Sequence, residues 1–379
     1  MGVSRAASLR RDCTPGIIAA SDRSQLQELA THKHHDAPNE PALSLQTVAS
    51  LARLRTATAW LFRDPIRTGV ALLVAGTGLA TESVGAAPQS RGSFNGFNVA
   101  NATIPTSEIL SGGPGRDGIP SIDKPRFIRP SGARFMLPDD LVVSVTIGDK
   151  TRAYPLRILV WHEIVNDEIA GQPIAVTYCP LCGTAMVFNR QVGNRTLAFG
   201  VSGLLHNSDV LMYDRQTDSL WSQLAMKAVS GPQVNTELEW LASEHLTWAA
   251  WKEKYPRGEV LSTRTGAQRN YSGSAYAGYE QSPDTMFPVP THRSDLPKKD
   301  WVLGVIVDGV ACAYPLKFLP PDRIVRDQIH ASALEITFHP ATQLAEVRRV
   351  ESGELIPSVK VYWFAWQAFY PQTKLWLPE

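Results

Sequence analysis

Val176-Thr177-Tyr178-Cys179-Pro180 returns 160 residues later as Ile336-Thr337-Phe338-His339-Pro340. Around it, Tyr154-Pro155-Leu156-Arg157 becomes Tyr314-Pro315-Leu316-Lys317, and Ile164-Val165-Asn166-Asp167 becomes Ile324-Val325-Arg326-Asp327. The register holds without a gap from about residue 140 to 190, which marks a diverged duplication. Further on, Trp248, Trp251, Tyr255 and Pro256 recur as Trp363, Trp366, Tyr370 and Pro371, at an offset of 115 instead of 160. The first copy therefore carries about 45 additional residues, placed at about 191–245. Residues kept by both copies read as scaffold; residues kept by one are candidates for function.

The elements around these motifs are short and extended. Leu141-Val142-Val143-Ser144-Val145-Thr146-Ile147 reads as a strand, Gly148-Asp149-Lys150 as a turn and Thr151-Arg152-Ala153-Tyr154 as the returning strand. Residues 301–307, Asp308-Gly309 and residues 310–314 repeat that hairpin. Residues 155–159 lead into a short turn or helix, and Ile174-Ala175-Val176-Thr177-Tyr178 is a β-branched run ending at Cys179. Residues 184–189 and 344–349 read as strands, and residues 244–255 as the clearest amphipathic helix. The predicted fold is β-rich α+β: a diverged internal duplication of strand-hairpin units with short helices, the first copy carrying an insertion. Its limits are a leader over 1–87, a flexible linker over 88–120, a first copy over 121–262, a connector over 263–298 and a second copy over 299–379.

Within this frame, Cys179-Pro180-Leu181-Cys182-Gly183 is a thiol corner between two strands. A Cys-x-x-Cys corner holds zinc, or soft monovalent copper, and needs further ligands to close the shell. The candidates are His162, His206, His339 and Cys312. His162 and Glu163 belong to the first copy only, becoming Asp322 and Arg323 in the second; His162 is the preferred third ligand, or a general base beside the thiols. Asp167 recurs as Asp327 and reads as structural. His339 replaces Cys179 and would meet the thiols if the copies face each other across a pseudo-twofold. Cys312, mid-strand and aligned with Arg152, reads as a small buried apolar residue. In the insertion, Ser202, His206, Asn207, Ser208 and Asp209 line a pocket, complete the metal shell, or form a turn held by their own hydrogen bonds. Two other readings stand beside the metal site. One is a thiol-disulfide oxidoreductase using Cys179 and Cys182, against which the strand after the motif counts, since no helix N-terminus lowers the thiol pKa. The other is a non-catalytic binding module whose cysteine pair staples a hairpin.

The rest of the chain bounds the setting. Lys plus Arg number 37 and Asp plus Glu 36, so nothing suggests a nucleic-acid footprint or a polybasic membrane patch. Arg63-Asp64-Pro65-Ile66-Arg67, an apolar run over 69–80 and Val84-Gly85-Ala86-Ala87 describe a secretory signal peptide. The run is too short to span a membrane, so the mature chain is expected to be periplasmic or otherwise extracytoplasmic, without a membrane span. After Cys13 in the leader, Cys179, Cys182 and Cys312 remain, an odd number that argues against a pure disulfide framework.

The chain resembles the bacterial domain-of-unknown-function 3179 family. The resemblance is carried by Tyr154-Pro155-Leu156, Trp161-His162-Glu163-Ile164-Val165-Asn166-Asp167, Thr177-Tyr178-Cys179-Pro180-Leu181-Cys182-Gly183, Phe199-Gly200-Val201-Ser202-Gly203 and Asn207-Ser208-Asp209 through Met212-Tyr213-Asp214-Arg215 to Leu220-Trp221. It implies an exported bacterial protein and names no reaction.

Overall fold

The computed structural model describes residues 92–378 except Thr291; the expected leader over 1–87 lies outside the described residues. Each copy opens with an antiparallel hairpin, Leu141–Ile147 with Lys150–Pro155 and Trp301–Val307 with Val310–Pro315. A short strand then adds in parallel to the second arm of each hairpin, Glu259–Leu261 in the first copy and Lys374–Leu375 in the second. A three-strand meander follows each hairpin, Ile164–Ile169, Gln172–Cys179 and Thr184–Asn189 in the first copy. In the second copy it is Val325–Ile329, Ser332–His339 and Leu344–Arg349. Sheet faces pack on each other at equivalent positions: Val143, Tyr154, Ile174 and Val187 in one copy, Leu303, Tyr314, Leu334 and Val347 in the other. The shared aspartates do the same work in both, since Tyr154 donates to Asp167 at 2.5 Å and Tyr314 to Asp327 at 2.7 Å.

The additional residues of the first copy build a five-stranded antiparallel sheet. Phe199–His206, Asp209–Asp214, Leu220–Ser222 and Lys227–Ser230 supply four strands. The fifth, Ile109–Ser111, comes from the segment expected to be a linker. That segment is held by buried Phe97 and Ile109 against Leu204 and Tyr213 of the insertion, apolar anchors that its Gly, Ser and Pro content obscured. The insertion sheet covers the outer face of the first copy's meander. Along Thr184–Asn189, Ala185 and Val187 point into the copy's own core, whereas Met186 and Phe188 join a second core with Phe199, Met212 and Trp221. In the second copy those outward positions are Glu346 and Arg348, and among the described residues no insertion sheet lies over them.

A second element also differs from expectation. The helix read over 244–255 begins only at Trp248; Glu244–Thr247 is a strand paired with Leu141–Ile147. Thr247 caps the helix by accepting from the amide of Ala250. The two copies then lock reciprocally. The amide of Thr247 donates to the carbonyl of Thr342 at 2.8 Å, and that of Tyr362, its equivalent, donates to the carbonyl of Cys182 at 3.0 Å. Each copy's strand end thus grips the other copy's meander turn, as an approximate twofold requires.

Candidate metal centre

The cysteine corner is built by a strand, a tight turn and a glycine. Gln172–Cys179 delivers the first thiol, and Gly183 returns the chain at φ +68. A Cβ on Gly183 would lie 2.4 Å from the Trp301 ring. In the second copy the same position holds Gln343, also at positive φ, and the residue equivalent to Trp301 is the smaller Leu141. Glycine is therefore required only where tryptophan leans on the turn.

The insertion brings its hairpin tip to this corner. Asn207 and Ser208 both have positive φ, 52° and 63°, and connect His206 to Asp209 by a two-residue turn. Both thiols donate to the carbonyl of Ser208, Cys182 at 3.2 Å and Cys179 at 3.6 Å. Ligand atoms of Cys179, Cys182 and Asp209 lie within 4.8 Å of one another, and all three residues are buried. Asp209 Oδ2 accepts from the amide of Leu224 at 2.9 Å, while Oδ1 is buried without a hydrogen-bond partner. Gln223 fixes the tip in place, accepting from Thr184 at 2.8 Å and donating to Thr177 at 2.7 Å, on strands flanking the thiols.

Glu163 adds a second buried carboxyl. It sits at φ +57 just after the short Leu156–Leu159 helix. With Cys179 it lines a small cavity of about 50 Å³. Burial, then the charge of Asp209, pushes the Glu163 carboxyl up to about 8. Burial likewise pushes Asp209 up to about 7, against the backbone amides and the two neighbouring thiols, which favour its ionised form. Both thiols are raised, first by burial and then by the nearby acids. Four acidic groups thus gather in one buried place.

The connector closes the site from outside. Tyr279, in the short Ala277–Gln281 helix, donates to the carbonyl of Leu181 at 2.7 Å, and Ser208 donates to that of Phe287 at 3.2 Å. Tyr276 and Phe287 line the small cavity. These residues were absent from the sequence-derived candidates; the signal available was a cluster of aromatics in a segment with no counterpart in the duplication.

The histidines lie elsewhere. His162 uses both ring nitrogens, one at 2.7 Å from the Pro120 carbonyl and the other at 2.7 Å from the Tyr271 hydroxyl. Its place in the first copy only is explained by this anchoring of the N-terminal segment and the connector, neither of which the second copy has. His339 pairs with Asp322 at 2.7 Å and is partly exposed; its turn rests on Thr247, whereas the cysteine turn rests on Tyr362. The copies do face each other, but their two turns meet different strands. His206 lies 3.2 Å from Glu108 and edge-on to Phe369. Neither these histidines nor buried Cys312 belongs to the cluster around the thiols. Ser202 is spent on the bulge at Gly203, where it accepts from the amide of Leu204 at 3.0 Å. Among the described residues no helix is long and apolar enough to cross a membrane.

A strand-rich duplicated scaffold with a buried Cys-Cys-Asp cluster is the class these features define. The model of the family described as protein of unknown function (DUF3179) matches residues 116–355, and the chain belongs to that family. No curated protein and no solved structure matches it.

Proposed function

We propose that Cys179, Cys182 and Asp209 hold a transition-metal ion. The observation that carries this reading is the unbonded, buried Oδ1 of Asp209 beside two buried thiols. A buried carboxylate oxygen without a partner costs free energy, and a cation shared with two thiolates removes that cost. Two sulfurs and one oxygen suit zinc; monovalent copper prefers an all-soft shell. The small cavity beside Cys179 and Glu163 leaves room for a fourth ligand the size of water. Zinc there would supply Lewis acidity, and Glu163 is placed to exchange a proton with a group in that cavity. The strand Thr184–Asn189 follows the motif directly, so no helix N-terminus at the thiols favours the nucleophilic thiolate that dithiol exchange needs. We further read the chain as exported, on the sequence of its leader alone.

Zinc titration against a chromophoric chelator tests the site. Wild-type protein is expected to compete for about one equivalent, and the double variant Cys179→Ser, Cys182→Ser for none. Undiminished zinc uptake by that variant contradicts the assignment.

A further inference from the structure

A second and larger cavity, of about 810 Å³, lies where the two copies meet. Its lining repeats the duplication. Leu141 and Trp301, Tyr178 and Phe338, and His245 and Lys360 are equivalent pairs, and both members of each pair face it. Two equivalent ion pairs stand at its wall. Arg157 lies 2.8 Å from Asp140, and Lys317 lies 2.7 Å from Asp300. These charges neutralise each other. The remaining lining acids, Asp139 and Glu280, are solvent-exposed.

What remains inside is positive. Lys360 is 7 % exposed and its ammonium donates to the Gln343 carbonyl at 2.9 Å, with no ion pair to a carboxylate among the described residues. His245 is 9 % exposed and its Nε2 has no hydrogen-bond partner. Lys299 stands 3.2 Å over the Tyr279 ring and donates to that residue's carbonyl. Burial, and the charge of Lys360, hold the His245 imidazole down at about 3, so it is neutral. A buried ammonium offers a carboxylate one charge and a charge-assisted donor, and the neutral imidazole of His245 beside it adds a polar group without a competing charge. The aromatic wall of Tyr178, Trp301, Phe338 and Tyr362 suits an apolar body attached to it, and the volume is that of an ordinary small-molecule site.

We propose that the cavity between the copies binds a small organic carboxylate with an apolar or aromatic body, and that Lys360 supplies the counter-charge. The inference needs no metal, although Tyr178, Pro180 and Gly183 of the cysteine corner also line this cavity. Calorimetric titration with benzoate tests it, with benzamide as the neutral isostere. Saturable benzoate binding is expected, with benzamide at least about tenfold weaker and Lys360→Met weakened at least about tenfold, the loss of one charge-assisted bond. Binding should persist in the Cys179→Ser, Cys182→Ser variant. Equal affinity for benzamide, unchanged benzoate affinity in Lys360→Met, or absence of saturable binding to wild type each overturns the proposal. The benzoate-to-benzamide comparison on wild-type protein decides even if a variant does not fold.

Discussion

Asp209 shows what a single buried carboxyl demands of its surroundings. With burial raising its pKa to about 7 and that of Glu163 to about 8, both carboxyls bind protons in the metal-free folded state that they release when unfolded. Their contribution to metal-free stability is full below the ordinary carboxylate range and is lost as pH rises through about 7 to 8. Metal affinity must run the other way, rising over the same interval as Asp209 and the thiols give up protons. Denaturant midpoints with and without zinc, taken between pH 5 and 9, should therefore diverge as pH increases; parallel curves would show that these groups do not ligate. Asp209→Asn keeps the acceptor for Leu224 and should weaken zinc binding by at least about 10- to 100-fold, since losing even an outer-shell partner costs that much. Gly183→Ala is expected to destabilise by about 2 kcal/mol or more, from positive φ and the clash with Trp301, measurable by thermal melting. At this scale the cysteine pair was legible because spacing alone defines a bidentate corner. Asp209 was legible only as one of five polar residues, since nothing local shows that the hairpin tip returns to the thiols. The expectation for His162 rested on its presence in the first copy only, and that presence reflects bonds to Pro120 and Tyr271, respectively 42 and 109 residues away.

Elements carry the same lesson in their periodicity. Thr184–Asn189 is apolar on both faces because one face meets its own sheet and the other meets the insertion. Its equivalent, Leu344–Arg349, alternates with Glu346 and Arg348 outward and has no insertion sheet over it among the described residues. Comparing the two strands thus reports where the insertion docks, a reading available from sequence once the duplication is seen. Phe188→Ala should cost about 3–5 kcal/mol, as for other fully buried aromatics, and a chemical-denaturation midpoint will register it. A loss under 1 kcal/mol would mean that the insertion packs loosely. The strands and their hairpins followed from β-branched runs and turn residues. The overlong helix over 244–255 did not, because Leu246 and the tryptophans fit a helical face while Glu244–Thr247 is held extended by pairing with Leu141–Ile147, a partner about a hundred residues earlier.

For the whole molecule, duplication supplies a paired scaffold and asymmetry supplies the sites. Only the first copy has an insertion, and that insertion brings Asp209 to the thiols. Only at the junction of the copies do His245 and Lys360, two versions of one position, line a common cavity. Burial lowers the Lys360 ammonium to about 8. Its penalty is fully present below that pH and is relieved as pH rises toward the ordinary lysine value. Lys360→Met should accordingly stabilise the fold at neutral pH by on the order of 1–3 kcal/mol, and a lowered melting temperature would show that the ammonium has a partner worth more than its burial costs. The most direct test of the metal centre is elemental analysis of protein purified anaerobically without an affinity metal. The wild type is predicted to carry about one zinc ion per chain, reduced in Asp209→Asn and absent when Cys179 and Cys182 are both serine. A folded wild type without metal that also fails to take up added zinc, or equal metal content in all three proteins, would contradict it.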